Sequence, residues 1–390
     1  MENRVIPFSP PDITEQEINA VVEVLKSGWI TSGPKAALFE EKIKEYCSVK
    51  NAMAVASNSQ GMDLIFKVLE VSPDSEIITT PYTYVATSNT TLHRGIKPTF
   101  VDLKKDSFFM DEEKLFEAIN PKTKAIITVD VGGVPVDYDA IKAILKAKNR
   151  EDILLVSDSA HSFGATYKGK QVGNQFDFHI FSFHAVKNLT TAEGGAITFD
   201  GDHGREDLKK ILKYTSLNGQ SKDALSKMKA GAWKYDVLTD GLKCNMTDIA
   251  AAIGLVQLER YEEMLLQRKK ISNLYQQMFA DKEWALLPFL KDGDTESSYH
   301  LYPLRIKGFT EEKRDKLIEN LAEMGIATNV HYTPIPMFTY YKQIGYSIKD
   351  YPNTFAQYAN EITLPLYSIL SSSDAEYAAE NVIRWVEKLR

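Results

Sequence analysis

Phe181-Ser182-Phe183-His184-Ala185-Val186-Lys187-Asn188-Leu189-Thr190-Thr191-Ala192-Glu193-Gly194-Gly195 joins an aromatic, apolar strand (Phe178 to Phe183) to a second, glycine-hinged strand (Gly194 to Phe199). It places one lysine where strand gives way to loop, among apolar neighbours. An amine in such a setting loses its proton more readily and can attack a carbonyl, as a Schiff base with an aldehyde cofactor requires. Most of the 46 Lys and Arg residues are surface cations, and Lys187 alone would be read the same way. Its company along the chain decides otherwise.

Upstream of this run, short apolar β-like segments alternate with helical patterns. Ile18, Val21, Val22 and Leu25 keep helical spacing and stop at Gly28. Strands are predicted at Ala52 to Ala56, Glu76 to Thr79, Pro98 to Val101, Ala125 to Val129 and Ile153 to Val156. Helices fall between them, through Met62 to Leu69, Asp111 to Ile119 and Asp137 to Lys148. Strands separated by helices imply crossover connections, hence an α/β fold with a mostly parallel central sheet covered on both faces. After Thr247 the pattern changes. One unbroken helix is expected from Asp248 to about Ala280, then a strand (Tyr299 to Ile306), a helix (Glu311 to Met324), a short strand (Ala327 to His331), a loop rich in Pro, Thr and Tyr, and a last helix (Asp374 to Leu389). This predicts two domains, a large ligand-binding one over 1–250 and a linking helix with a smaller α+β domain over 251–390, as a chain of 390 residues also suggests.

Composition narrows the class. With 44% apolar and 25% charged residues the chain reads as a soluble globular protein. It has no run long enough to span a membrane and no signal-peptide pattern at its start. A net charge of -7 argues against a nucleic-acid surface. Cys47 and Cys244 form no redox or metal spacing and fit a reducing cytoplasm. The seven histidines are scattered, so no metal site is expected.

Four features join Lys187. Ser57-Asn58-Ser59-Gln60-Gly61-Met62 is a polar turn between strand and helix, where free N–H groups and small hydroxyls suit a phosphate; capping by Asn58 or Ser59 is the alternative. Tyr84, in Thr80 to Asn89 after a strand, could stack on a flat heteroaromatic ring or simply pack a loop. Asp158 directly follows an apolar strand, at the sheet edge where ligands of such folds bind. There it can pair with a protonated ring nitrogen, or it can cap a helix. His161 could touch the same ligand or be a core histidine. Ser182, opposite in direction to Phe181 and Phe183, offers another hydroxyl for phosphate, or is an ordinary strand serine. A phosphate cradle, a stacking ring, an acid and a Schiff-base lysine together describe a pyridoxal 5'-phosphate site.

Ser27-Gly28-Trp29-Ile30-Thr31-Ser32-Gly33-Pro34, Asp158-Ser159-Ala160-His161 and the lysine run through Glu193-Gly194-Gly195 resemble the DegT/StrS-type sugar aminotransferases. So do Val129 to Asp137, His331-Tyr332-Thr333-Pro334 and Leu364-Pro365-Leu366-Tyr367, and the resemblance covers nearly the whole chain. It implies an aspartate-aminotransferase-like fold, and a homodimer with active sites at its interface. The implied reaction moves an amino group from L-glutamate to a keto sugar carried on a nucleoside diphosphate. By the same resemblance Lys187 is catalytic, Asp158 meets the pyridine nitrogen and Tyr84 covers the ring. Ser59, Gln60 and Ser182 hold the phosphate, and His161 lies near the ring hydroxyl. Trp29, Thr31, Glu193 and His331 fall to the substrate, Glu193 supporting the loop or the sugar. One stretch departs from the family. Gly241-Leu242-Lys243-Cys244-Asn245 puts Lys243 where many members carry an asparagine that reaches the partner's cofactor phosphate. A lysine can keep that role as a mobile charge, but Asn245 stands in place of an arginine. The related sugar dehydratases have histidine in place of the lysine, so Lys187 favours amination. The wording around it looks most like members that aminate C4 of UDP-linked 4-keto sugars. The alternatives are another pyridoxal-phosphate enzyme of the same fold, such as a sugar dehydratase or an aromatic-acid synthase, and a non-enzymatic sensor that keeps the cofactor pocket.

Overall fold

The computed structural model describes residues 4–222 and 233–390. Its central sheet is built from β1 (Asn51–Val55), β2 (Glu76–Thr79), β3 (Thr99–Phe100), β4 (Thr123–Val129) and β5 (Leu154–Asp158), joined after the small hairpin of β6 (Thr166–Tyr167) and β7 (Lys170–Gln171) by β8 (Phe178–Ser182) and β9 (Gly195–Phe199). The strand order is β1-β9-β8-β5-β4-β2-β3. Neighbours pair in parallel from β3 through β2, β4 and β5 to β8, whereas β9 runs antiparallel to both β8 and β1. The C-terminal ends of β1, β2, β4, β5 and β8 therefore lie along one edge, together with the start of β9. The strands are nearly continuous apolar runs because helices cover both faces, with Phe39, Ile126 and Phe181 in the core on one side and Ile65, Ile127 and Ile180 on the other.

Helix boundaries follow local chemistry. The first helix, Glu15–Ser27, opens with a Thr14 capping box and closes on Gly28 in the left-handed region at φ 73°. The helix Asn58–Val68 starts from Ser57, whose hydroxyl accepts from the Gln60 N–H at 3.2 Å. Its N-cap is thus neither Asn58 nor Ser59. Gly195 is required where β9 begins, since a Cβ there would lie 2.6 Å from the Phe181 carbonyl oxygen and 2.7 Å from the Asn58 nitrogen.

Three expectations are corrected in the second half. The long helix is two helices, Asp248–Glu259 and Tyr261–Phe279, broken at Arg260 (φ -94°, ψ -2°). No glycine or proline marks the break. Arg260 instead turns its guanidinium to Asp12, at 2.9 Å, and to Glu17. The predicted strand from Ala327 to His331 forms no extended ladder: Ile326 just before it bridges Ile6, and Asn329 in its middle bridges Thr363. The short β10 (Ala285–Leu286) joins a second, antiparallel sheet in the order β10, β13 (Tyr302–Ile306) and β14 (Glu361–Leu364), whereas the hairpin of β11 (Lys291–Asp292) and β12 (Thr295–Glu296) pairs through β12 with β6. β14 lies inside the stretch read as a loop: four residues between a helix and Pro365 are too few to show a period. A separate core packs this sheet against the helices Tyr261–Phe279, Glu311–Glu323 and Ser372–Leu389, and Ile6 from the other end of the chain joins it.

Candidate active site

The strand ends open into a cavity of about 590 Å³. It is lined from the central sheet by Ser57, Asn58, Ser59, Tyr84, Asp158, His161, Ser182 and Lys187, from the following loop by Glu193 and Gly194, and from the opposite wall by Phe8, His300, His331 and Tyr332. Eight of the residues singled out in the sequence thus face one space: Ser59, Tyr84, Asp158, His161, Ser182, Lys187, Glu193 and His331.

Asp158 ends β5 in the sheet floor, 5% exposed. It caps no helix. Its carboxylate accepts from the Thr87 hydroxyl at 2.6 Å, from Asn58 Nδ2 at 3.1 Å and from the Ala160 N–H at 3.3 Å. Thr83 extends the chain of hydroxyls, donating to Thr87 at 2.8 Å, because the single Thr87 proton is committed to the acid. Asn58 also donates to the Ile180 carbonyl at 2.7 Å, which fixes its amide orientation. Burial raises the Asp158 carboxyl from its ordinary value, against these hydrogen bonds and the Lys187 charge. A group so held gains from a cationic partner.

The loop that carries Lys187 is tied down at several points. Asn188 donates to the Ser298 carbonyl at 2.7 Å and faces His300 Nδ1 at 2.9 Å, Leu189 is buried, and the Thr191 N–H bonds the Phe183 carbonyl at 2.9 Å. The lysine side chain keeps access to the cavity while protein surrounds its amine. Burial lowers its pKa to about 8, with Asp158 pulling the other way. About a tenth of the amine is then neutral and nucleophilic at pH 7, against well under a thousandth at the ordinary lysine value.

His161 has a defined tautomer. Its Nδ1 accepts from the Gly132 N–H at 3.2 Å, so Nε2 carries the proton and donates to Tyr332 Oη at 2.8 Å. Burial, then the Lys187 and His331 charges, holds its pKa well below the usual histidine range. Tyr84 is 61% exposed at the cavity mouth, its ring 6.3 Å from that of Tyr332. Ser182 Oγ accepts weakly from the His184 N–H at 3.4 Å. Glu193 is exposed and lies 3.6 Å from His184 Nε2.

Gln60, Lys243, Trp29 and Thr31 are not among the residues lining the cavity; Gln60 follows Ser59 at its rim and starts a chain of hydrogen bonds through Lys243 and Asn245 to Ser32. Gln60 donates at 3.5 Å to the Lys243 carbonyl, Lys243 Nζ bonds Asn245 Oδ1, and Asn245 donates to Ser32 Oγ. Trp29 Nε1 bonds the Ser32 carbonyl at 3.3 Å. The Thr31 carbonyl receives the Asp248 N–H at 3.0 Å, and the Asp248 carboxylate caps the neighbouring helix through the Gly33, Lys35 and Ala36 N–H groups. Sequence reasoning missed Thr87, Asn58 as a partner of Asp158, and His300. No local pattern marks them, since each meets its partner across tens of residues or more.

The cavity fits a phosphorylated pyridine aldehyde. It combines the first turn of the helix Asn58–Val68, whose leading N–H groups have no intrahelical acceptors, hydroxyls at Ser59 and Ser182, a buried acid and an amine of lowered pKa. Among the described residues no cluster of three His, Cys, Asp or Glu side chains could hold a metal ion, and no helix is long and apolar enough to cross a membrane.

Comparison with known proteins agrees in kind. Residues 11–383 match the model of the DegT/DnrJ/EryC1/StrS aminotransferase family. Spr1654 of Streptococcus pneumoniae, described as a sugar aminotransferase and solved in its PMP form, superposes with a TM-score of 0.94 at 43% identity, covering 99% of this chain and 100% of that one. A PLP form of the same protein superposes equally well at 42% identity. Helicobacter pylori PseC, an aminotransferase involved in the biosynthesis of pseudoaminic acid, gives a TM-score of 0.89 at 31% identity over 99% of this chain and 100% of its own. The spore coat polysaccharide biosynthesis protein SpsC of Bacillus subtilis is 38% identical across 97% of each chain.

Proposed function

This chain belongs to the DegT/DnrJ/EryC1/StrS aminotransferase family, and from that premise we propose that it moves an amino group from L-glutamate to a keto sugar carried on a nucleoside diphosphate, most specifically C4 of a UDP-linked 4-keto sugar. It is a pyridoxal-phosphate-dependent sugar aminotransferase, and the products under this reading are an amino sugar and 2-oxoglutarate. The observation that carries the reading is the meeting of Lys187 and Asp158 in one cavity beside a helix N-terminus.

The cofactor, when bound, supplies an electron sink for the carbon that gains or loses the amino group. The chain's own groups do the rest. The first turn after Ser57, with the Ser59 and Ser182 hydroxyls, would hold the phosphate. Asp158, oriented by Thr87 and Asn58, would hold a protonated ring nitrogen, because a carboxylate raised by burial is stabilised by a cation. Lys187 Nζ would be the amine that holds the aldehyde, and as a free amine it would take up and return a proton at Nζ. Holding that amine at the site raises its effective concentration. His161, its Nε2–H fixed on Tyr332 and its pKa held low by burial, would stay neutral there, and Tyr84 at the mouth would cover the ring. Trp29, Thr31 and Glu193 serve the sugar, and Lys243 serves an anion from the rim in a dimer that shares its sites.

The test is to incubate the protein with glutamate and a panel of UDP-, dTDP- and GDP-linked keto sugars and weigh the products. An amino sugar from a UDP-4-keto sugar is expected. Loss of water from the sugar without nitrogen gain points instead to a dehydratase, and inertness toward every keto sugar removes the substrate assignment.

A further inference from the structure

On the cavity wall formed by residues 329–333, His331 is gripped from several sides. Phe8 stacks on the ring at 5.6 Å, 19° from parallel, and Tyr332 meets it edge-on at 4.9 Å. The backbone N–H of His331 donates to Glu361 Oε2 at 2.9 Å. Its Nδ1 lies 2.9 Å from Thr363 Oγ1, and Thr363 in turn donates to Glu361 Oε1. Glu361 and Thr363, both 0% exposed, are two residues apart in β14 and share a face. Two backbone hydrogen bonds between Asn329 and Thr363, at 3.1 and 2.8 Å, hold the His331 segment against that strand.

A threonine hydroxyl has one proton to give. When it goes to an ionised Glu361, Oγ1 faces the ring as an acceptor, Nδ1 keeps the ring proton and Nε2 is bare. When Glu361 is protonated on Oε1 and donates to Thr363, the hydroxyl proton turns to Nδ1 and Nε2 carries the hydrogen. Nε2 is the nitrogen left to the cavity, since among the described residues it has no hydrogen-bond partner. We propose that Glu361, acting through Thr363, is a positioning residue that decides which nitrogen of His331 is protonated, and so whether the ring meets a hydroxyl of the acceptor sugar as acceptor or as donor. The substrate in this statement rests on the aminotransferase reading; the relay does not.

The electrostatics fit a relay that changes within the working range. Burial raises the Glu361 carboxyl to about 8, opposed by its bonds from Thr363 and the His331 N–H and by Arg314 and Arg305. The two cations act through space. Arg314 donates to the Tyr358 and Glu361 carbonyls and to Asp315, and Arg305 donates to Asn360 and Asp106. The phenols of Tyr82 and Tyr332, whose own pKa values are raised first by burial, complete the surroundings of the acid. Burial, then the Lys187 charge, lowers His331 to about 3. The ring therefore stays neutral, and only its tautomer can respond.

The experiment is histidine-selective ¹⁵N NMR of the cofactor-loaded protein, with His331 assigned by its loss in His331→Asn. Between about pH 6.5 and about pH 9.5, the range that brackets the raised carboxyl, the bare nitrogen is expected to pass from Nδ1 to Nε2. Thr363→Val, which keeps the shape and removes the hydroxyl, should abolish that passage. Glu361→Gln, which cannot ionise, should hold one tautomer throughout. A ring that keeps one bare nitrogen across the range, or the same passage in Thr363→Val, overturns the relay. In kinetics, Thr363→Val should raise KM for the sugar acceptor by about tenfold, the scale of one lost hydrogen bond, with the loss concentrated in that half-reaction rather than in the glutamate one. An unchanged sugar half-reaction overturns the substrate-facing role. If the unaltered protein performs neither half-reaction, the aminotransferase reading fails, while the tautomer measurement still decides the relay.

Discussion

The floor of the cavity and its rim are built on different terms. Asp158 is buried, with three donors drawn from positions 2, 71 and 100 residues away, and the lysine loop is bound to residues as distant as Ser298. Outside the lining, Gln60, Lys243, Asn245 and Ser32 form a half-buried chain of hydrogen bonds that ends on the Met246 carbonyl, with the Lys243 side chain itself exposed. A buried group whose partners come from across the fold has one orientation and a shifted pKa. An exposed cation such as Lys243 is free to swing. The contrast teaches where chemistry can be placed: reacting groups on the floor, and adjustable anion contacts on the rim.

Substitutions should grade along this divide. Lys187→Ala should lower turnover by about 10³-fold or more, the scale of a lost proton carrier and nucleophile, with the protein still folded by circular dichroism. Retained turnover would show that the floor does not hold the chemistry. Asp158→Ala should cost roughly 10²-fold in kcat, as lost electrostatic stabilisation does, and should also displace the Lys187 titration downward, because the carboxylate raises that pKa.

The pH profile gives a separate handle. The Lys187 pKa is lowered, so the neutral amine is lost as pH falls below about 8. In the cofactor-free protein, the rate of aldehyde attachment should rise about tenfold per pH unit below that point and level off above it. Stopped-flow absorbance checks this. A break near the ordinary lysine value of about 10.4 would mean that burial does not act on this amine.

Lys243→Ala should have the smallest effect. An exposed, screened cation contributes about 0.2–1 kcal/mol, so cofactor affinity should fall by no more than about fivefold, and less at high salt. A loss as large as that of Asp158→Ala would place Lys243 on a buried contact and erase the distinction drawn here.

The same divide governs what the sequence revealed. Strands of four or more residues in the central sheet were legible because apolar runs between helical periods need no distant information, and several strand ends then marked candidates: Ser59 after β1, Tyr84 after β2, Asp158 ending β5, Ser182 ending β8 and Lys187 in the loop after it. What turned those candidates into a site was not legible. The Thr87 and Asn58 contacts with Asp158 and the approach of His300 to Asn188 arise only when elements far apart in the chain pack. The break at Arg260 was hidden as well, because its cause, the carboxylates of Asp12 and Glu17, lies some 240 residues earlier in the chain.

Borohydride reduction of the yellow, cofactor-loaded protein, followed by tryptic digestion and mass spectrometry, tests the placement of the chemistry most directly. A reduced phosphopyridoxyl group is expected on the peptide that contains Lys187 and on no other. The same adduct on a different lysine, or a protein that takes up no cofactor and leaves every lysine unmodified, would contradict it.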